Sequence, residues 1–344
     1  MIKRTLIIDG EWNLKRNFEK RNTMFANGEH CGGSFGFLES LRAIVNKTMP
    51  DRVVVVWDGM MSGKLRHDIY PLYKANRDKS FDEDSYRMDD MLIEQEKRRK
   101  YSILQQKIKV KNYLEELFIR QTEVDLIEGD DLIGYYIKTK PEDEEVIIFS
   151  RDNDYLHLIN EKVSIVKAND YDIINLENFK TRYGFIKDNC LLLKCFEGDT
   201  SDNVQGVDGI AIKTILKYFP KFSEEPYSVD RFIQESIELY KNKKLKVFEK
   251  IIGCRKTIER NKILFNLCEP LVNDQAIEEV KLLHEATLIE DEKFTDRSIY
   301  NAMKMMIKDG YKSLVWKENL ELFFQPFYLL VTKEKEFASN KRIL

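Results

Sequence analysis

The chain has 344 residues, 43% of them hydrophobic and 33% charged, with 56 Lys plus Arg against 59 Asp plus Glu for a formal net charge of −3. That length supports a real core and either two domains or one large domain with an insertion, and the mixture fits a soluble folded protein with a highly charged surface. No apolar run is long enough for a membrane span and no signal peptide is recognisable, whereas a near-zero charge sum leaves nucleic-acid partners open, because distribution decides.

TLIIDG, residues 5–10, is a short apolar run ending in Asp9 and Gly10. GFLESLRAIVNKT follows as a helix, and RVVVVWDG, residues 52–59, repeats the strand form with Asp58 and Gly59 at its end. EVIIFSRD, residues 145–152, does so a third time, and SIVKA, residues 164–168, is a candidate fourth strand. Continuous β-branched runs without alternation predict strands covered on both faces. The rhythm is that of an α/β fold with a mostly parallel central sheet and flanking helices. Ligands gather at the carboxyl ends of such strands, so Asp9, Asp58 and Asp152 are predicted to meet at one edge.

Residues 60–112 interrupt the rhythm. The stretch GKLRHDIYPLYKANRDKS is basic and aromatic, and FDEDSYRMDDMLIEQEKRRKYSILQQKIKVKNYLEEL reads as one long charged helix. Its acidic start and basic finish suit the helix dipole. A solvated crossover helix and an arch over the site are equally open on that pattern. TEVDLIEGDDLIGYYIKTK, residues 122–140, reads as a helix with Ile127, Leu132, Ile133, Tyr136 and Ile137 inward and Glu128, Asp130 and Asp131 clustered. Gly129 among them costs about 1 kcal/mol relative to alanine, and either admits a close backbone approach or is neutral. Residues 190–219 hold two short helical stretches joined by glycine-rich turns, 220–228 read as a loop, and the charge-rich remainder reads as helical up to a frayed tail at 333–344.

Nine acids are candidate metal ligands: Asp9, Asp58, Glu128, Asp130, Asp131, Asp152, Asp154, Asp199 and Asp202. Asp199 and Asp202 are three apart, able to share a helical face. Any one acid is more often solvated surface, but the repeated strand–carboxylate pattern raises the joint case. Hard oxygen donors favour Mg2+ or Mn2+ over zinc. Only four histidines occur, without HExxH or Cys/His spacing, and the five cysteines form no close CxxC pair, which favours a reduced, intracellular protein. Two divalent ions about 4 Å apart activate water and stabilise the leaving oxygen of a phosphodiester. Arg66, Lys74 and Arg77 are the nearby basic suppliers. GVDGI, residues 206–210, can offer backbone N–H groups to a phosphate with Lys213 close behind, or can be an ordinary packing turn.

LIIDG, VVVWDG, RHDIYPLYKANR, IEGDDLIG, SRDNDYLHL and GDTSDNVQGVDGIAIKTI, in that order, resemble the motifs of the flap-endonuclease-like 5′ nucleases, across about residues 5–220. That group contains bacterial polymerase-associated 5′-3′ exonuclease domains and phage replication nucleases of the RNase H type. The resemblance implies a PIN-like catalytic domain over residues 1–182 with an arch at about 60–112. It implies a helical region over 183–344 carrying a SAM-like helix–hairpin or three-turn–helix DNA-binding module at about 190–219. It implies two Mg2+ or Mn2+ ions, with Asp9, Asp58, Glu128, Asp130 and Asp152 framing the catalytic cluster. Asp131, Asp154, Asp199 and Asp202 would frame the second ion. Arg66 and Lys74 would steady the scissile phosphate, and Tyr70 or Tyr73 would stack on a nucleotide. Gly206, Gly209 and Lys213 would meet DNA, with K+ admitted at the hairpin. Two departures stand out: Gly129 replaces the usual alanine, and the hairpin carries Asp208 and Ala211.

The reading is therefore a divalent-metal-dependent 5′ nuclease acting on flaps, nicked or branched DNA, RNA primers or RNA/DNA hybrids during replication. A single-strand-binding protein or sliding clamp is the expected partner, and the cytoplasm of a bacterial or phage-infected cell the expected location. The rivals are a PIN-like ribonuclease and a branched-DNA-binding protein without turnover.

Overall fold

Strand β1 (Arg4–Asp9) and helix α1 (Gly10–Lys20) open the chain, followed by a small hairpin, β2 (Phe25–Ala26) and β3 (Glu29–His30), and helix α2 (Gly32–Thr48). Strand β4 (Arg52–Asp58) leads to α3 (Lys64–Ile69), α4 (Ala75–Asp78) and α5 (Asp90–Glu116). Then come β5 (Arg120–Val124), α6 (Gly129–Thr139), β6 (Glu145–Phe149), β7 (Val163–Val166) and β8 (Ile173–Ile174). This computed structural model describes residues 4–78, 90–285 and 296–341, with only the backbone described for 77–78, 90–92, 285, 296–298 and 334–341.

The six-stranded sheet runs β5-β4-β1-β6-β7-β8, parallel throughout except for the β7–β8 pair. Alternate residues of the buried strands feed two opposite cores, as the period of two requires. Ile7, Val54, Val56, Val146 and Ile148 face one core with residues of α6 and many from 179–283. Leu6, Ile8, Val55, Trp57 and Phe149 face the other, with residues of α1, α2, α5 and 299–331. Residues on both sides of position 182 therefore share each core.

Beyond the sheet follow α7 (Leu176–Tyr183), α8 (Cys190–Glu197), a hairpin of β9 (Gly198–Asp199) and β10 (Val204–Gln205), and α9 (Ile212–Tyr218). Helices α10 (Val229–Lys243), α11 (Lys246–Ile252), α12 (Arg255–Phe265), α13 (Asp274–Glu285), α14 (Asp296–Lys308) and α15 (Leu320–Lys341) complete the chain. Among the described residues, no helix is long and apolar enough to cross a membrane.

Several expectations need correction. Residues 122–124 belong to strand β5, not to a helix: Thr122 and Val124 face inward at an edge of the sheet, and the helix starts at Gly129. The long helix α5 does not finish basic but ends in Glu115 and Glu116, and Lys107 and Lys111 instead reach Glu123 of β5 at 3.0 and 2.6 Å. Ile103 and Val110, near the end of the expected arch, and Tyr113 and Leu114 just past it are core residues, so the C-terminal part of α5 packs on the sheet domain, whereas residues 97–101 are exposed. The arch tip, residues 79–89, lies outside the described residues. Asp199 and Asp202 flank a hairpin turn rather than sharing a helix face, because Asn203 at φ 56° turns the chain into β10. The expected loop at 220–228 contains a short 3-10 turn, Pro220–Ser223, and the expected frayed tail continues as helix through Lys341.

Candidate active site

Strand ends place the first acids. Asp9 ends β1 and caps α1, its Oδ1 accepting the Trp12 N–H at 3.0 Å. Its Oδ2 is reached by Ser150 Oγ and the Tyr155 hydroxyl, both at 3.3 Å. Asp58 ends the neighbouring β4 and accepts the Gly129 N–H at 2.8 Å. A Cβ at Gly129 would stand 3.2 Å from that same carboxylate oxygen, so the close approach is real. Gly59 is held more tightly, since a Cβ there would overlap the Val124 carbonyl.

Asp9, Asp58, Glu128, Asp130, Asp152, Asp154, Asp199 and Asp202 all line one pocket of about 220 Å³, together with Glu11, Lys15, Lys74 and Tyr155. Carboxylates from five separated segments thus share one basin. Among the described residues, no three acidic, His or Cys side chains stand close enough together to hold a metal ion as they are placed. The crowding still costs energy. Burial, with Asp58 and Asp152 adding to it, pushes the Asp9 carboxyl up to about 7. Burial and Asp152 push Asp154 up to about 6 against the pull of Lys194. Asp58 is raised by burial and by Glu11 and Glu128, and Asp130 is raised well up by burial with Asp131 and Glu128. Divalent cations would relieve that repulsion, and the donors are all hard oxygens, so the set fits Mg2+ or Mn2+.

Three expected roles do not survive the geometry. Arg66 is buried, its guanidinium spent on Glu128 at 3.1 Å and on Asp131, and its Nε on the Leu264 carbonyl at 2.9 Å. It is not open to a phosphate. Asp131 is correspondingly set apart from the other acids: it is buried against Arg66, accepts the Leu271 N–H at 3.0 Å and does not line the pocket. Tyr73 cannot stack on a nucleotide, because the residue is only 5% exposed and its hydroxyl donates to Glu128 at 2.9 Å and Asp202 at 3.1 Å. Gly63, at φ 85°, gives Glu128 room, since a Cβ would sit 2.6 Å from its Oε1.

Lys74 does reach the pocket, paired with Glu128, and its N–H donates to the Asp202 carbonyl at 2.8 Å. Asn76 and Asn203 add bonds of 3.1 and 2.8 Å between this segment and the β9–β10 turn. Tyr70 is half-buried with Arg260 over its ring at 4.5 Å, so one face is covered. The Arg77 side chain is outside the described residues. Gly206 and Gly209 border a groove of about 860 Å³, and Lys213 is exposed on α9. Two N–H groups of the 206–210 segment are already committed, Val207 to Phe196 at 2.7 Å and Ile210 to Val207 at 2.9 Å.

Sequence reading missed two lysines. Lys194 of α8 bridges Asp154 and Asp199 at 2.7 and 2.6 Å, and these acids hold its ammonium charged despite burial. Lys167 fastens the acidic loop, donating to the Arg151 and Asp152 carbonyls and to Asn153 Oδ1 at 2.8, 2.9 and 3.0 Å. A basic residue one strand away from an acidic loop was the available signal for Lys167. Lys194 had none stronger than its place five residues before Asp199.

Residues 4–184 match the family model described as 5′-3′ exonuclease, N-terminal resolvase-like domain. A 5′-3′ exonuclease of Buchnera aphidicola subsp. Schizaphis graminum is 29% identical over 64% of this chain and 71% of its own length. DNA polymerase I of Bacillus subtilis is 27% identical over 71% of this chain but only 26% of the polymerase. Among solved structures, the T5 D15 protein co-crystallised with metal ions superposes with a TM-score of 0.61 at 20% identity, covering 88% of this chain and 99% of that one. A T5 D15 flap endonuclease in a pseudo-enzyme-product complex with DNA and metal ions gives 0.62 at 19% identity, covering 88% and 98%.

Proposed function

Given that the chain belongs to the 5′-3′ exonuclease family, we propose that it is a structure-specific 5′ nuclease that hydrolyses phosphodiester bonds of flapped or nicked DNA at the carboxylate basin. The observation that carries the site is that basin itself, to which five separated segments bring eight of the nine candidate acids. Asp9, Asp58, Glu128, Asp130 and Asp152 would hold one divalent ion, and Asp154, Asp199 and Asp202 the other. Bound there, the ions supply Lewis acidity for water and for the leaving oxygen.

The chain's own residues supply orientation and charge. Ser150 and Tyr155 fix Asp9, the Gly129 N–H fixes Asp58, and Lys167 fixes the backbone that carries Asp152. Arg66 and Tyr73 hold Glu128 from beneath, which leaves Lys74 as the cation of this group that borders the pocket. Lys74 is the residue that would meet the scissile phosphate by exchanging its pairing with Glu128 for one with the phosphate oxygen. The 198–213 segment would grip the duplex, with Gly206, Gly209 and Lys213 at the backbone and K+ at the same turn. RNA primers and RNA/DNA hybrids as substrates, and a single-strand-binding protein or sliding clamp as partner, belong to the same proposal.

The test is cleavage of a labelled 5′ flap with Mg2+, beside hairpin RNA and plain duplex. Wild type should cut the flap in preference. Asp152→Asn should lose cleavage and keep flap binding. Preference for hairpin RNA would favour a ribonuclease, and equal cleavage by wild type and variant would remove Asp152 from the site.

A further inference from the structure

The region beyond residue 225 carries no motif, yet it is fastened to α8, the β9–β10 hairpin and the turn that follows. Asn261 of α12 donates to the Cys195 and Gln205 carbonyls at 2.8 and 2.9 Å, and Arg260 donates to Gln205 at 2.6 Å. Helix α11 closes on α9 through Phe248, which meets Tyr218 edge-on at 5.2 Å. From the same helix Lys250 reaches the turn, donating to the Asp208 carbonyl at 3.0 Å and pairing with its carboxylate. The negative charge that Asp208 brings to this turn is therefore answered from within the chain.

Lys246 lies four residues before Lys250, so the two share one face of α11, about 6 Å apart along its axis. Lys243 ends α10 and Lys244 is its left-handed cap, at φ 43°. Lys243, Lys244 and Lys246 are exposed and make no ion pair among the described residues. The neighbouring acids are already engaged, Glu238 with Lys241 and Glu249 with the Tyr240 hydroxyl. On the other side of the turn, Lys213 and Lys217 repeat the four-residue spacing along α9. Two lysine rows on packed helices thus flank one turn.

We propose that the α10–α11 corner, through Lys243, Lys244 and Lys246, is a second contact for the phosphate backbone of duplex DNA, extending the grip of the 206–213 segment along the duplex arm. The inference rests on the nuclease reading and adds residues to it. Unpaired exposed lysines beside a backbone-binding turn match a line of phosphates, and such contacts set affinity and salt dependence without sequence preference. A hydrophobic or basic partner would gain nothing from this row.

The experiment measures fluorescence anisotropy of flapped DNA with a long duplex arm, in Ca2+ to prevent turnover, across a salt series. The triple variant Lys243→Gln, Lys244→Gln, Lys246→Gln should bind about tenfold or more weakly at low salt. Its slope of log affinity against log salt should be shallower by up to about 3, since each phosphate contact contributes about 0.9. Its thermal unfolding midpoint and its cleavage rate at saturating substrate should stay at wild-type values. A single Lys246→Glu variant should weaken binding further than Lys246→Gln. Unchanged affinity and slope in the triple variant would overturn the proposal while leaving the nuclease reading intact. An equal loss on single-stranded DNA would overturn the duplex assignment. A wild type that binds no flapped or nicked duplex would overturn both.

Discussion

Asp9→Asn should stabilise the metal-free protein and destroy its activity. The substitution keeps the shape of the side chain. Its carbonyl oxygen can still accept the Trp12 N–H, and its amide can donate to Ser150 Oγ and the Tyr155 hydroxyl, which now donate to Asp9 Oδ2. What disappears is a charge whose carboxyl is pushed from 3.8 to about 7, by burial first and then by Asp58 and Asp152. Holding that carboxyl ionised in the folded state costs about 4 kcal/mol relative to the unfolded chain. The sign follows from proton binding. Between about pH 4 and 7 the folded chain holds a proton at Asp9 that the unfolded chain has released, so ionisation costs stability as pH rises and the cost is complete above about 7. Urea denaturation in EDTA should give wild type and variant similar stability near pH 4. The variant's advantage should grow to a few kcal/mol at pH 8, about 3 kcal/mol of it appearing between pH 5 and 8. Saturating Mg2+ should return most of the difference to wild type and little to the variant. An advantage independent of pH, or none at pH 8, would refute the claim that Asp9 is held in a crowded acidic basin.

Tyr73→Phe removes the donor that serves both Glu128 and Asp202, and should cost about 1.5–3 kcal/mol in urea denaturation, the range for hydrogen bonds to charged groups. Full stability with weakened DNA binding would instead restore Tyr73 as a stacking residue. Lys194→Met frees Asp154 and Asp199 from the ammonium that bridges them and should tighten Mn2+ binding measured by calorimetry, chiefly in the weaker phase. Unchanged or weaker Mn2+ binding would show that Lys194 does not compete for these acids.

The legible part of the site was the part written in strand endings. Three continuous apolar runs, each closed by Asp or a short acidic loop, can only be buried on both faces, and parallel pairing then puts Asp9, Asp58 and Asp152 at one edge. Strand β5 escaped because Arg120, Gln121 and Glu123 make an edge strand look polar, and its acid serves two lysines of α5. The role of Arg66 was illegible for a different reason. A phosphate-binding arginine and a buried one look alike in sequence, and the partner that decides, Asp131, is 65 residues away. The same holds for Tyr73, whose aromatic ring suggests stacking while its hydroxyl is consumed by two carboxylates. Asp199 and Asp202 line the pocket from a hairpin turn and not from a helix face, since a spacing of three fits either.

The most direct measurement is anomalous scattering from crystals of the protein soaked in Mn2+. Peaks should appear in the pocket bounded by Asp9, Asp58, Glu128, Asp130 and Asp152, with a second, weaker one toward Asp154, Asp199 and Asp202, and Asp131 should remain on Arg66. Mn2+ bound only elsewhere, or a basin whose acids stay on Lys74 and Lys194 at saturating Mn2+, would contradict the account.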